Sequence, residues 1–269
     1  MEELDRAIAS NPDSADAYYD RGVLWLRRGD SDRAIADLTR AIQIDPADAG
    51  AYYSRGNAYS TQNKFAEAIA DYSKLVELDP KDANAYYDRG LAHAESGDTA
   101  ASIQDFNQAI ALNPGYAQAY HNRALSWESL DHLNEALADM SKSIELQPDS
   151  ADAYYNRGII YDKQKQDLDA INDFSKAIKI NPSYALAYAG RGGVYVEQDD
   201  LTQARLDLTK AIEIDPKIAQ AYNNRAVVYV EIKQFAKALE DLKQAASLGY
   251  AVDPGFLAAV KKAVDTGHF

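Results

Sequence analysis

No cysteine occurs in the 269 residues, which removes disulfide frameworks, thiolate metal sites and thiol nucleophiles. Histidine is scarce: His93, His121, His132 and His268 include no i, i+4 pair and no HExxH, so no metal site is expected. Positive charge is also in short supply. There are 28 lysines and arginines against 42 aspartates and glutamates, a formal net charge of −14. Nucleic acid and anionic membrane surfaces both require clustered cations and are therefore not expected partners. No apolar run approaches the roughly 20 residues that span a bilayer, so membrane insertion is not expected either. The opening Met-Glu-Glu-Leu-Asp-Arg lacks the basic and apolar regions of a secretory leader. The default expectation is a cytoplasmic protein, or a periplasmic or secreted one if a leader was removed from a longer precursor. GxSxG, phosphate-loop and EF-hand patterns are missing. Gly190-Arg191-Gly192-Gly193 falls in a helical pattern, not after a strand, so it is no dinucleotide fingerprint. No cofactor and no catalytic residues are expected, and the chain does not read as an enzyme.

What the chain has in quantity is a beat. Ala51-Tyr52-Tyr53-Ser54-Arg55-Gly56 recurs with small changes, placing arginine at 21, 55, 89, 123, 157, 191 and 225, one every 34 residues. Prolines 12, 46, 80, 114, 148, 182 and 216 keep the same interval. A fixed period of this size predicts a solenoid, one extended domain of stacked units. Hydrophobic content of 46%, regularly spaced, excludes disorder.

Residues 1–14 read as half a repeat, in which Leu4, Ala7 and Ile8 match Leu38, Ala41 and Ile42 one period later. Two readings stay open: an N-terminal capping helix, or the start of an excerpt from a longer protein. Seven units follow at 15–48, 49–82, 83–116, 117–150, 151–184, 185–218 and 219–252. In the second, Tyr52, Gly56 and Tyr59 share one helical face, and Asn63-Lys64 marks a turn. Phe65, Ala68, Ile69, Tyr72, Leu75 and Val76 then form a second amphipathic stripe. Asp79-Pro80 closes it, and Asp82 is placed to cap the next helix. Residues 253–269 predict a C-terminal capping helix, opened by Asp253-Pro254 and striped by Phe256, Leu257, Val260, Ala263 and Val264, with 267–269 frayed.

The chain resembles the tetratricopeptide repeat (TPR) family over essentially its whole length. The family's pattern falls on Tyr52, Gly56, Tyr59, Ala68, Tyr72, Leu75 and Pro80, and again on Tyr154, Gly158, Tyr161, Ala170, Phe174, Ala177 and Pro182. Glycine with alanine, as in Gly56 with Ala68, is expected to let the paired helices approach closely. His93, Ser102 and Ser143 depart locally and read as packing variation. A larger departure is the arginine before the glycine, where the family commonly has leucine. Each second helix also has an aspartate at one place (37, 71, 105, 139, 173, 207 and 241), with Glu3 in the half-repeat. A structural Arg–Asp ladder follows, within units or between them, and Glu3 mildly favours the cross-unit version.

The resemblance implies an all-α, right-handed superhelical solenoid of helix-turn-helix hairpins whose first helices line a concave groove for peptides or partner segments. Carried over unit by unit, that groove would present Tyr19, Tyr53, Tyr87 and Tyr155 as an aromatic stripe, with His121 filling the gap. Asn57, Asn122 and Asn156 would supply polar fixing, Asp88 and Asp162 acidic charge, and Leu125, Leu186 and Val196 apolar contact. Leu186, Ala189, Gly193 and Val196 with Val227 and Val230 would form a small-residue apolar patch. Chaperone-binding members clamp a C-terminal carboxylate with groove lysines and asparagines. Tyrosines stand at the clamp-lysine position here, which disfavours an acidic tail. The expected function is a non-catalytic scaffold binding a neutral-to-basic peptide or protein segment. The alternatives are a homo-oligomer assembled through the half-repeat or the apolar patch, and the repeat region of a larger enzyme or secretion factor.

Overall fold

The computed structural model describes residues 1–267; His268 and Phe269, part of the expected frayed end, lie outside the described residues. Among the described residues there are α-helices and no strands. The chain divides into two compact units, residues 1–139 and 140–269. The first holds α1 (Glu2–Ser10), α2 (Ala15–Arg27), α3 (Ser31–Ile44), α4 (Ala49–Thr61), α5 (Phe65–Leu78), α6 (Ala83–Glu95), α7 (Thr99–Leu112) and α8 (Ala117–Ser129). The boundary falls inside α9 (Leu133–Leu146). The second unit continues with α10 (Ala151–Lys163), α11 (Asp167–Ile180), α12 (Ala185–Glu197), α13 (Leu201–Ile214), α14 (Ala219–Glu231), α15 (Phe235–Ser247) and α16 (Pro254–Thr266).

Turn chemistry sets these boundaries. Each first helix ends on a residue in the left-handed region (Gly29, Asn63, Gly97, Asp131, Lys165, Asp199 and Lys233), with φ between 58° and 86°. Asp30, Asp98 and Asp200 then cap three of the second helices by accepting from backbone N–H groups. Second helices stop in extended residues such as Asp45, Asp79 and Asn181, each before a proline that forbids helical backbone at that point. Ser14, Asp48, Asp82 and Ser150 cap the following first helices.

Within each hairpin, close approach depends on the motif glycine. A Cβ on Gly56 would stand 2.8 Å from the ring of Tyr72, and one on Gly158 2.8 Å from Phe174. The glycine is therefore needed against that aromatic rather than against Ala68 or Ala170, which lie fully buried nearby. Successive hairpins share their cores. Ala34, Leu38, Ala41 and Ile42 pack with Ala51 of the next first helix, and Ala204, Leu208 and Ala211 with Ala221 and Val228. Of the local departures, Ser102 is fully buried and satisfied by Thr99 O at 2.8 Å and Ser126 Oγ at 3.0 Å. Ser143 is buried too, and His93 Nε2 lies 3.9 Å from Asp105.

At the ends the two terminal helices differ. α1 packs on α2 but buries none of its residues. In α16 Asp253 accepts from Phe256 N at 2.6 Å, and Val260 and Ala263 are fully buried, Val260 within the cluster of Ala226 and Leu242.

The arginine ladder is a hairpin device. Each motif arginine donates from Nε and Nη2 to both oxygens of the aspartate 16 residues later, as in Arg55–Asp71 and Arg157–Asp173, at 2.6–2.9 Å. The cross-unit pairing that Glu3 favoured is thus overturned. The remaining Nη1 does reach back 16 residues, but to a different position: Thr39, Ser73, Asn107, Ser141, Ser175 and Thr209 accept from successive arginines. In the half-repeat that position is Asp5, which takes Arg21 at 2.8 Å. The carboxylates are nearly buried, Asp71 being 4% exposed. The guanidinium also lies over the first motif tyrosine, as Arg55 does over Tyr52 and Arg157 over Tyr154, both at 5.7 Å. Only a planar, multiply donating cation satisfies all these partners, which is why leucine is absent.

Candidate functional site

With the first tyrosine, the arginine and the glycine committed to packing, the residues left to act are on the remaining face of the first helices. Several first helices of neighbouring repeats touch within each unit, α2 with α4, α6 with α8, α10 with α12 and α12 with α14.

The tyrosine stripe is not uniform. Tyr53 is open, 44% exposed. Tyr87 is covered by Tyr116, ring centroids 4.8 Å apart, and backs onto Phe106 at 5.9 Å. Tyr155 is covered by Tyr184 at 5.1 Å and backs onto Phe174 at 5.9 Å. Tyr116 and Tyr184 occupy the residue just before a first helix, where Asp82 and Ser150 act as caps, and neither gives a side-chain cap. Tyr116 Oη instead donates to Asn84 at 3.0 Å and Tyr184 Oη to Asp152 at 2.7 Å. Burial pushes the Tyr116 phenol up to about 12 and raises that of Tyr184. Tyr19 is half-buried, with its ring against Gly50.

The three asparagines do not play one role. Asn57 accepts from the hydroxyl of Tyr72 at 2.7 Å; burial pushes that hydroxyl up to about 12, so it stays protonated. Asn122 spends its amide donor on Tyr87 Oη at 2.9 Å and on Gln118 O at 3.1 Å, which orders the tyrosine. Asn156, His121 and Leu125 are half-buried on α10 and α8.

Two clefts gather other residues of the expected groove. In the first unit a cleft of about 290 Å³ is lined by Asn57, Ser60, Asn63, Phe65, Tyr72, Asp88, Leu91, Ala92 and Glu95. In the second a cleft of about 240 Å³ is lined by Tyr155, Ile159, Asp162, Leu186, Ala189, Gly190, Gly193, Val196, Glu197, Gln220 and Asn224. They are the same place three repeats apart: Asn57 corresponds to Ile159, Ser60 to Asp162, Asp88 to Gly190, Leu91 to Gly193 and Glu95 to Glu197. Asn57 and Asp88 thus meet in one cleft, and Tyr155, Asp162, Leu186 and Val196 in the other. Tyr19, Tyr53, Tyr87, His121, Asn122, Leu125 and Asn156 line neither. From the apolar patch, Val230 is buried among Ala226 and Leu242, while Leu186 is 45% exposed.

Each cleft contains a carboxylate that its surroundings do not fully compensate. Burial, then the charge of Asp82, pushes Asp88 up to about 6. Burial, then Glu197, raises Asp162, against a lowering by Lys165. Asp162 Oδ1 is buried without a hydrogen-bond partner, and Glu197 is held by Lys165 at 2.7 Å. Among the described residues no group of three His, Asp or Glu is placed to hold a metal ion. No described helix is long and apolar enough to cross a membrane.

Sequence profiles described as "TPR repeat" match residues 56–97, 129–165 and 192–233, and others described as "Tetratricopeptide repeat" match 2–49, 38–70, 83–116, 151–184 and 219–248. No curated protein sequence matches the chain. Among solved structures, a tetratricopeptide repeat protein from Parabacteroides merdae ATCC 43184 is 22% identical, with 93% of this chain and 98% of that one covered and a TM-score of 0.72. YrrB, described as a TPR protein with an unusual peptide-binding site, is 26% identical over 68% of this chain and 95% of its own, TM-score 0.58. MamA is 29% identical over 60% of this chain and 94% of its own, TM-score 0.58.

Proposed function

Because the chain belongs to the tetratricopeptide repeat family, we propose that it is a non-catalytic scaffold that holds a neutral-to-basic peptide or protein segment against its first helices. The observation that carries this reading is the pair of clefts, each opening beside exposed or half-buried apolar side chains and each lined by carboxylates. Apolar walls with a few convergent polar groups are the usual make-up of a binding recess. The formal charge of −14 adds attraction for basic segments and repulsion for acidic ones. YrrB, described as a TPR protein with an unusual peptide-binding site and 26% identical to this chain, is a likeness in support.

The test is a peptide array spanning neutral, basic and acidic-tailed sequences. Retention of neutral and basic peptides is expected. A preference for acidic C-terminal tails, or retention of none, contradicts the proposal. Self-association is the second reading, favoured by Leu168 on α11 and Leu206 on α13, which stand 73% and 53% exposed. Light scattering over a concentration series separates it: a constant monomer mass eliminates self-association, and a rising mass eliminates the monomeric scaffold.

A further inference from the structure

The clefts invite a more specific occupant than a segment of suitable charge. One wall in each is apolar: Phe65, Leu91 and Ala92 in the first unit, Ile159, Leu186 and Val196 in the second. The polar end carries acceptor groups, Ser60, Asp88 and Glu95 in one, where the Asn57 oxygen already takes Tyr72, and Asp162 and Glu197 in the other. Asp88 appears in no ion pair or hydrogen bond of the described structure. The ionisable groups that act on it or feel it are Asp82, Tyr72, Tyr87 and Tyr116, with Glu95 in the same lining; none is a cation. Asp162 faces Glu197, Asp167 and a single cation, Lys165, which is already paired to Glu197 on the solvent side. Its Oδ1 is left with no partner at all. A carboxylate held partly out of water without a counterion is costly, and an incoming cation recovers that cost.

The two clefts reach this state by different routes. In the first unit the aspartate stands on α6, opposite Ser60; in the second it stands on α10, at the Ser60 position, opposite Gly190. One aspartate with no hydrogen-bonded or ion-paired counterion and one glutamate occupy the same recess in both. Apolar walls leading to carboxylates match a long side chain with a methylene stem and a charged head. A metal ion would require more ligands than the described residues bring together. We infer that each cleft is a subsite for one basic side chain, the lysine or arginine of a segment bound as proposed above, with Asp88 and Asp162 receiving its charged head. This rests on the segment-binding reading and adds to it the residue class that anchors the segment.

The experiment is selection of a phage-displayed random heptapeptide library on the wild-type protein, on Asp88→Asn, on Asp162→Asn and on the double variant. Asparagine stands at the position of Asp88 in Asn122, Asn156 and Asn224, so the first variant preserves the fold, which circular dichroism verifies. Lysine and arginine are expected to be enriched in the wild-type pool, less so with each single variant, and not with the double. For the best lysine-bearing heptapeptide, lysine→norleucine is expected to weaken calorimetric affinity roughly tenfold to a hundredfold. Saturation with the lysine peptide is expected to lower the apparent pKa of Asp88 read by carboxylate NMR, a change that a merely structural aspartate would not give. A wild-type pool without basic enrichment, or equal affinity for the lysine and norleucine peptides, overturns the subsites while segment binding stands. A library that yields no binder overturns both.

Discussion

The two clefts differ in what the repeat left free. In the first unit the recess is polar: Tyr72 donates to Asn57 at 2.7 Å, Ser60 and Asn63 stand beside them, and Leu91 narrows the wall. In the second, Ile159 replaces the asparagine, glycines stand for Asp88 and Leu91, and Ala189 stands where Tyr53, Tyr87 and Tyr155 stand in other repeats. The framework around them does not change. The same Arg–Asp pair locks each hairpin, at Arg55–Asp71 and Arg157–Asp173 alike, with a hydroxyl of the preceding hairpin behind it. A repeat protein can vary its recognition face without touching the Arg–Asp pairs that lock its hairpins, because different residues of one helix carry the two tasks.

That separation can be tested, beginning with its largest consequence. Arg55→Leu and Arg157→Leu each strand a nearly buried aspartate and are expected to destabilise by about 3–5 kcal/mol in chemical denaturation. Near-equal losses would mark the ladder as common to both units. A loss below about 1 kcal/mol in either would refute its structural role there.

Asp88→Asn moves the other way. The folded pKa of about 6 lies above the ordinary 3.8, so the folded state binds more protons between these values and stability falls as pH rises through that window. The variant is expected to be more stable than wild type above pH 6 by about 1–2 kcal/mol, a value reduced for solvent screening of a partly buried group. The advantage should fade toward pH 4. Thermal melts at several pH values check this, and a pH-independent difference would rule out the titration.

Gly193→Leu would give the second cleft the leucine that Leu91 supplies in the first. A Cβ at that position meets only the amide of Asn224, at 3.3 Å, so the helix is expected to gain up to about 1 kcal/mol in denaturation while the recess fills. The smallest effect concerns the turns. The first unit places glycine at two of its four left-handed hairpin turns, Gly29 and Gly97, with Asn63 and Asp131 at the others, whereas the hairpin turns of the second use Lys165, Asp199 and Lys233. Lys233→Gly should raise the unfolding midpoint, worth about 0.5–1 kcal/mol; a lower midpoint would mean that the lysine contributes contacts of its own.

Much of the fold was legible because each hairpin repeats one solution: the interval of the arginines located the first helices, the prolines located the ends of the second helices, and Asp253-Pro254 located α16. Less of the site could be read. Whether Arg55 paired with Asp71 or Asp37 depends on the rotation of paired helices, which periodicity leaves open, and the charge of Glu3 pointed the wrong way because Asp5 is the residue that reaches Arg21. The covers on Tyr87 and Tyr155 were missed, although Tyr116 and Tyr184 interrupt a run of capping residues that includes Ser14, Asp48, Asp82 and Ser150. That interruption was the available signal. The grouping of Tyr155 and Asp162 with Leu186 and Val196 needed geometry, since the lining comes from helices of consecutive repeats.

Chemical-shift mapping of the protein titrated with a selected lysine-bearing heptapeptide tests the central claim most directly. The largest shifts are predicted on the first helices, at the methyl groups of Leu91 and Ala92 in one unit and of Ile159, Leu186 and Val196 in the other. Shifts concentrated instead on the second helices, around Leu168 and Leu206, would contradict it.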